Sequence, residues 1–409
     1  MRICFVASTY PRSDEDTAVP WLREDLRRLA DRGYEVHVFA PAFKGSKSHK
    51  VDGITVHRYR YFFAGKEDLT HDAGAPTKIR RPDYLVITLF YILFGSIGLY
   101  RLHRKEKFDL LHIHWPFPHG LFGLVARKAH PAPIALSFHG AELLLARKFK
   151  FVDPILKRFT RQAQLVTCNS SYTAGAIRKL GTCEPVILPY GSPVPERNVK
   201  PPSSAQKTIL FVGRLIERKG VEYLLQAMPL VKAEIDCRLV VVGNGVLLEP
   251  LKQQARDMGI SDYVEFRVDI PEAELIRAYE ECNVFVLPAI VDSRGDTEGL
   301  GVVLIEALSF RRPVVASAVG GIVDVIRNEE TGYLAREKDP KSLAVNITRA
   351  LKNPDEAARL AQQGYEHVQL TYNWDKIIDR TEQLYSEIVK EPASKTAGSR
   401  SEALTSAGN

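Results

Sequence analysis

Cysteine is scarce in this chain and shows no pairing pattern. Cys4, Cys168, Cys183, Cys237 and Cys282 are odd in number and scattered, with no C-x-x-C pair. That excludes a disulfide scaffold and a thiolate metal centre, and it suits the reduced interior of a cytosolic protein. A Walker loop, a G-x-S-x-G elbow and the kinase motif set are also missing. No nucleic-acid module is visible, and the net charge of +7 comes from dispersed basic residues, so nucleic acid is not an expected partner. The N-terminus runs at once into strand-like Arg2–Ser8, which does not read as a signal peptide. Long apolar runs are absent but for Tyr84–Tyr100, which carries no charge, is short for a membrane span, and is interrupted by Gly95, Ser96 and Gly98. Arg101, His103, Arg104, Lys105 and Lys107 follow it. The segment reads either as a buried core helix or as a helix lying on lipid headgroups. In the second case the basic stretch to Lys107, with Arg80 and Arg81, holds an anionic membrane surface through residues 84–107.

What is present is a regular alternation. Short apolar runs recur at Ile3–Ala7, Val36–Phe39, Ile54–Val56, Leu110–Ile113, Ile134–Ser137 and Leu165–Thr167, with helix-like segments such as Trp21–Arg32, Leu121–Ala129 and Tyr172–Leu180 between them. A mostly parallel sheet covered on both faces follows. A Pro- and Ser-rich stretch then breaks the pattern, which restarts at Thr208–Gly213 and continues through Leu239–Gly243, Val284–Leu287 and Pro313–Ala316. At 409 residues two domains are the default. The expected layout is a first α/β domain over 1–190, a linker over 191–206 and a second α/β domain over 207–373. A helix over 374–390 crosses back, and a disordered tail covers 391–409. Two doubly wound sheets facing across a cleft place their ligands beyond the C-terminal strand ends.

Chemistry-bearing residues fall at those ends. The segment Asp296-Thr-Glu-Gly-Leu-Gly-Val-Val-Leu-Ile-Glu306 sets Glu298 and Glu306 eight residues apart, roughly two helical turns. Gly299, Leu300 and Gly301 let backbone approach a ligand closely, and a helix N-terminus offers N–H groups to an anion. A phosphate and a polyhydroxyl group can thus meet at one helix end, as in a nucleotide sugar. Gly213-Arg214 through Lys219-Gly220 supplies a cationic grip for a diphosphate, Arg as a fork and Lys as a point charge. Gly243-Asn244-Gly245 is a candidate phosphate or ribose turn. His139, ending the strand Pro133–His139, faces the expected crevice from the first domain. His112 and His114 share a strand face, as two metal ligands would. No carboxylate or thiolate nearby completes a set, so no metal is assigned, and Trp115–Pro118 reads as packing or a substrate wall.

Taken together these motifs resemble glycosyltransferase family 4, the retaining enzymes of GT-B fold, over nearly the whole chain. The Glu-x7-Glu motif stands as Glu298…Glu306, the phosphate loop as Gly213-Arg214…Lys219-Gly220, and the His-Gly strand end as His139-Gly140-Ala141-Glu142. Pro313–Ser317 with Gly320-Gly321 completes the pattern. The resemblance implies that Arg214 and Lys219 bind the donor pyrophosphate and Glu306 the ribose. Glu298 with Gly299–Gly301 would hold the donor sugar and its phosphate, and His139 would line the sugar and acceptor site. It leaves a UDP-, GDP- or ADP-linked donor open, with no required cofactor and a glycan as acceptor; the apolar helix Tyr84–Tyr100 adds a glycolipid acceptor, or work at the cytoplasmic face of a membrane, as a further expectation. The chain departs from the family pattern in its loop after the first strand (Tyr10–Pro20), in Glu142 for Asp, in Arg311 before the Pro-Val-Val strand, and in Val268-Asp269-Ile270 without Gly. Rival readings are an epimerase or phosphorylase on a similar scaffold, or a non-catalytic sugar- or membrane-binding protein.

Overall fold

The computed structural model describes residues 1–16, 18–70, 78, 81–192 and 206–390. Arg80, most of the 191–206 linker and the 391–409 tail lie outside the described residues. The chain divides into two compact units. The first comprises Met1–Asn169, Ala174–Leu188 and the chain from Ile378; the second comprises Ser170–Thr173 and Pro189–Ile377. The change back to the first unit falls inside the helix Trp374–Lys390. The small excursion at Ser170–Thr173 has no signature in the sequence.

The first unit is built on β1 (Arg2–Val6), β2 (Glu35–Pro41), β3 (His49–Val51), β4 (Ile54–Tyr59), β5 (Leu110–His114), β6 (Ile134–Phe138), β7 (Leu165–Cys168) and β8 (Val186–Ile187). Their order is β3-β4-β2-β1-β5-β6-β7-β8, parallel but for β3 against β4. That antiparallel edge escaped the sequence reading. Asp52 and Gly53 both take positive φ (48° and 78°), forming the two-residue turn of a tight hairpin. Strands β5 and β6 are buried throughout, which is why they read as continuous apolar runs.

In the second unit β9 (Lys207–Val212), β10 (Cys237–Val242), β11 (Val264–Arg267), β12 (Val284–Leu287), β13 (Val314–Ser317) and β14 (Tyr333–Ala335) form an all-parallel sheet, ordered β11-β10-β9-β12-β13-β14. In each sheet the winding reverses once, between β1 and β5 and between β9 and β12. Those are the two topological switch points.

The apolar segment 84–100 lies in one continuous helix, Pro82–Glu106, that passes through Gly95, Ser96 and Gly98. The two glycines are contact points rather than interruptions. A Cβ on Gly95 would stand 2.5 Å from the Phe122 ring, and one on Gly98 would stand 3.0 Å from Phe39. Tyr84, Ile87, Tyr91, Gly95, Leu99 and His103 recur every three or four residues and form the buried stripe. The opposite face is apolar too, with Leu85 55% exposed, Leu89 68% and Leu93 50%.

Candidate active site

The second unit brings its loops together at the switch point between β9 and β12. Strand β9 gives way to Gly213 and Arg214, and the chain then turns through Glu217–Lys219 into the helix Val221–Lys232. Strand β12 gives way to the loop 288–301, which leads into the helix Val302–Ser309. Gly220 joins the two loops by sterics. Its φ is 65°, and a Cβ there would lie 1.9 Å from the Pro288 carbonyl oxygen.

Side chains complete the junction. Lys219 Nζ donates to Glu298 Oε2 at 2.5 Å, and Arg218 Nη1 donates to the same oxygen at 2.9 Å. Both Lys219 and Glu298 are buried. Burial alone would raise the Glu298 carboxyl, but Lys219 and Arg218 outweigh it and hold the group at about 2. Glu298 is therefore a fixed anion between two cations. Arg218 also lies 3.6 Å from Asp296. Sequence reasoning passed over Arg218, although it stands next to Lys219 in the same basic run.

Glu298 does not stand on the helix. The helix begins at Val302 with Gly301 as its N-cap (φ 87°), so Glu298 belongs to the preceding loop and only Glu306 is helical. The left-handed Gly301 lies between the two carboxylates, so the roughly two-turn helical spacing does not apply. Loop position is fixed by backbone instead. Gly321 N–H donates to the Glu298 carbonyl at 2.9 Å. Cβ atoms on Gly320 and Gly321 would stand 2.1 Å from the Glu298 and Gly299 carbonyl oxygens. The Gly320-Gly321 pair thus lets two loops touch, with Leu300 buried beside them.

Glu306 accepts a 2.6 Å hydrogen bond from the Tyr279 hydroxyl. Burial raises its carboxyl, while the Tyr279 bond and the charge of nearby Lys219 counter that. Tyr279 lies nearly parallel to Phe310, ring centroids 5.2 Å apart, so the hydroxyl is held by packing. The tyrosine carries no signal in the sequence, where it is one apolar position of the helix Glu272–Glu281. Arg214 is exposed in the loop after β9. Gly243 serves packing: a Cβ there would lie 1.9 Å from the Gly213 carbonyl oxygen. Two departures noted in the sequence also find their geometry. Arg311 (φ 50°) and Asp269 (φ 52°) hold left-handed positions where glycine would sit without strain. The Arg311 guanidinium lies 3.9 Å over the Tyr365 ring.

His139 belongs to the first unit, at the end of β6. Its Nε2 lies 3.0 Å from His114 Nδ1, and its ring sits beside Trp21 and Trp115, with centroids 4.8 and 4.7 Å away. Burial and the nearby His112 push it down to about 3, so it is neutral. Glu142 Oε1 accepts from the His139 backbone N–H at 2.8 Å, and burial pushes that carboxyl up to about 7. His112 is held by Tyr385 (2.6 Å) and Ser137 (2.7 Å). Among the described residues, no group of three His, Cys, Asp or Glu side chains is arranged to hold a metal ion.

Two doubly wound sheets, with a cation–carboxylate junction at one switch point and a histidine strand end in the other unit, define a GT-B protein of the glycosyl-transfer class. Family models agree over most of the chain: "Glycosyltransferase Family 4" over residues 22–191 and "Glycosyl transferases group 1" over residues 195–367. The protein belongs to glycosyltransferase family 4. Among its relatives is the GDP-mannose-dependent alpha-(1-6)-phosphatidylinositol monomannoside mannosyltransferase of Mycobacterium tuberculosis, 26% identical over 86% of this chain and 89% of the relative. The fold is similar to that of sucrose-phosphate synthase from Thermosynechococcus elongatus (TM-score 0.75, 20% identity, 95% of this chain and 99% of the other). It is also similar to that of Anabaena HepE in complex with UDP (TM-score 0.71, 15% identity, 95% and 100%).

Proposed function

We propose that the protein is a retaining hexosyltransferase that moves a sugar from a UDP-, GDP- or ADP-linked donor to a hydroxyl of a glycan or glycolipid. The observation that carries this reading is the Lys219–Glu298–Arg218 junction at the β9/β12 switch point. Lys219 and Arg214 neutralise the diphosphate, Glu306 takes a ribose hydroxyl, and Glu298 with the Gly299–Gly301 backbone holds the sugar and its phosphate. In the reaction the bond from the anomeric carbon to the β-phosphate oxygen breaks. The acceptor oxygen bonds that carbon on the same face, and its proton passes to the departing phosphate. Fixed cations beside the leaving group stabilise the charge that develops there without reorganising. A neutral, half-buried His139 suits positioning of a sugar rather than proton removal. Family membership favours this reading over the epimerase, phosphorylase and binding-protein alternatives.

The exposed face of the Pro82–Glu106 helix supports work at the cytoplasmic face of a membrane. Leu85, Val86, Leu89, Phe90, Leu93 and Phe94 are exposed there, with Phe63 exposed as well. Arg81 lies in front of the helix, while Arg101, Arg104 and Lys105 lie in its last turns. This suits a helix that lies in the headgroup layer and keeps its inner stripe in the protein core. Calorimetric titration with UDP, GDP and ADP, alongside Lys219→Ala, tests the donor reading. Binding of one nucleotide that the variant loses is expected; silence across all three with folded protein would refute it. Flotation with anionic vesicles at low salt tests the membrane reading, and failure to float would remove it.

A further inference from the structure

The first unit has a switch point of its own, between β1 and β5, where three chain segments converge. Trp21 opens the helix Pro20–Asp31 that follows the β1 loop, Trp115 follows β5, and His139 follows β6. Both indoles flank the imidazole at under 5 Å between centroids, and they face each other at 5.9 Å with planes 59° apart. The chain has three tryptophans, and the third, Trp374, begins in the second unit.

These indoles are not ordinary core. The apolar core of the first unit is made of residues such as Phe108, Leu111, Ile113, Phe122 and Phe138, and neither indole is among them. Both Trp21 and Trp115 keep part of their surface open. Trp115 moreover holds a left-handed backbone (φ 50°, ψ 72°), a strained conformation for a bulky residue. The conformation is held by backbone hydrogen bonds, since the Trp115 N–H donates to the Ser137 carbonyl at 3.2 Å and its carbonyl lies 2.9 Å from His119 Nδ1, so the direction of the indole is fixed. The polar complement is close. Asp25 follows Trp21 by one helical turn on the same face of that helix. A half-open pair of aromatic walls around a neutral imidazole suits one class of molecule: a rigid ring with an apolar C–H face and hydroxyls on its rim.

We propose that Trp21 and Trp115 form an acceptor subsite that takes a cyclic polyol, a pyranoside or a cyclitol, stacked by its C–H face, in preference to an acyclic polyol. The inference rests on the proposed glycosyl transfer, with His139 lining the sugar and acceptor site as the family resemblance implies. An acyclic chain presents no fixed apolar face to an indole and loses rotamer freedom on binding.

Tryptophan emission tests this directly in the full-length protein. The probes are methyl α-D-mannopyranoside, methyl α-D-glucopyranoside and myo-inositol, with glycerol as the acyclic control. Each is titrated to about 100 mM, a range that captures millimolar affinities. A saturable emission change with at least one ring compound and none with glycerol is expected. Trp21→Leu or Trp115→Leu should weaken that binding by about tenfold or more, the loss expected for a well-stacked aromatic contact. Trp21→Tyr and Trp115→Tyr should retain most of it. Nucleotide affinity, measured by calorimetry on the same proteins, should stay within about twofold, since the donor loops lie in the other unit. Emission that responds to no ring compound, or equally to glycerol, would overturn the subsite. So would leucine variants that bind the ring compound like the wild type. Loss of nucleotide binding in the wild type would instead strike the donor reading and leave the ring titration to be judged by itself.

Discussion

Lys219→Met tests the site where its physics is most exposed. The substitution keeps the length and apolar stem of the side chain and removes its charge. Glu298, buried and ionised, then keeps Arg218 at 2.9 Å and loses the 2.5 Å bond from Lys219. Removing one partner of a buried ion pair costs about 3–5 kcal/mol when the remaining charge is stranded. Arg218 still answers it here, so the expected loss is about 2–3 kcal/mol. Urea unfolding at pH 7 reads that number. The Glu298 carboxyl, held at about 2 in the wild type, should titrate upward. Adding Glu298→Gln removes the stranded charge, and the double variant should regain roughly half or more of the lost stability. Donor affinity should behave differently. A charged hydrogen bond to a diphosphate is worth about 1.5–3 kcal/mol, so nucleotide binding should weaken by about 10- to 150-fold in both the single and double variants. A single variant within about 0.5 kcal/mol of wild type would refute the buried-pair argument. Unchanged nucleotide affinity would refute the role of Lys219 at the phosphates.

Three further predictions follow from geometry. Tyr279→Phe removes the 2.6 Å bond to Glu306 while keeping the ring stack, and should lower stability by about 1–2 kcal/mol and weaken nucleotide binding several-fold; an unchanged affinity would place the ribose elsewhere. Gly220→Ala sets a Cβ 1.9 Å from the Pro288 carbonyl at a φ of 65°, and should destabilise the protein by about 2–4 kcal/mol, checked by thermal unfolding. Acid should destabilise the first unit well before it reaches the Glu298 range. His112 and His139 are held down at about 3 and His119 at about 4, with His114 lower than usual too. Such groups stabilise fully above their unfolded value near 6.5 and lose that contribution as pH falls toward the folded values. Glu142 and Asp25, raised to about 7, act in the opposite sense, since their contribution is lost as pH rises through 7. The histidines prevail, so the urea midpoint should drop between pH 7 and about 4.5; a flat midpoint would contradict their burial.

Much of this architecture is written locally. Strands such as Val284–Leu287 are buried on both faces, and that requirement alone fixes their composition, so the parallel sheets were legible in the chain. Gly213, Lys219 and Glu298 were legible as well, because loops at strand ends concentrate glycine and charge. The β3–β4 hairpin was missed although Asp52-Gly53 announces it, since three-residue edge strands carry little pattern.

The sequence by itself determined which residue types stand after each strand, and so which charges are available to a ligand. Tertiary structure decided how they are used. Spacing puts Glu298 at a helix mouth about two turns from Glu306, yet the left-handed Gly301 separates it from the helix and the Gly320-Gly321 backbone fixes the loop that carries it. Tyr279 reaches Glu306 across 27 positions of chain, and Trp21 meets His139 across three segments that no local pattern links. The Pro82–Glu106 helix makes the same point. Its apolar composition was plain, but only packing against Phe122 and Phe39 separates the face that belongs to the core from the face left open. Local propensity depends on neighbours along the chain, whereas electrostatics and close packing depend on neighbours in space.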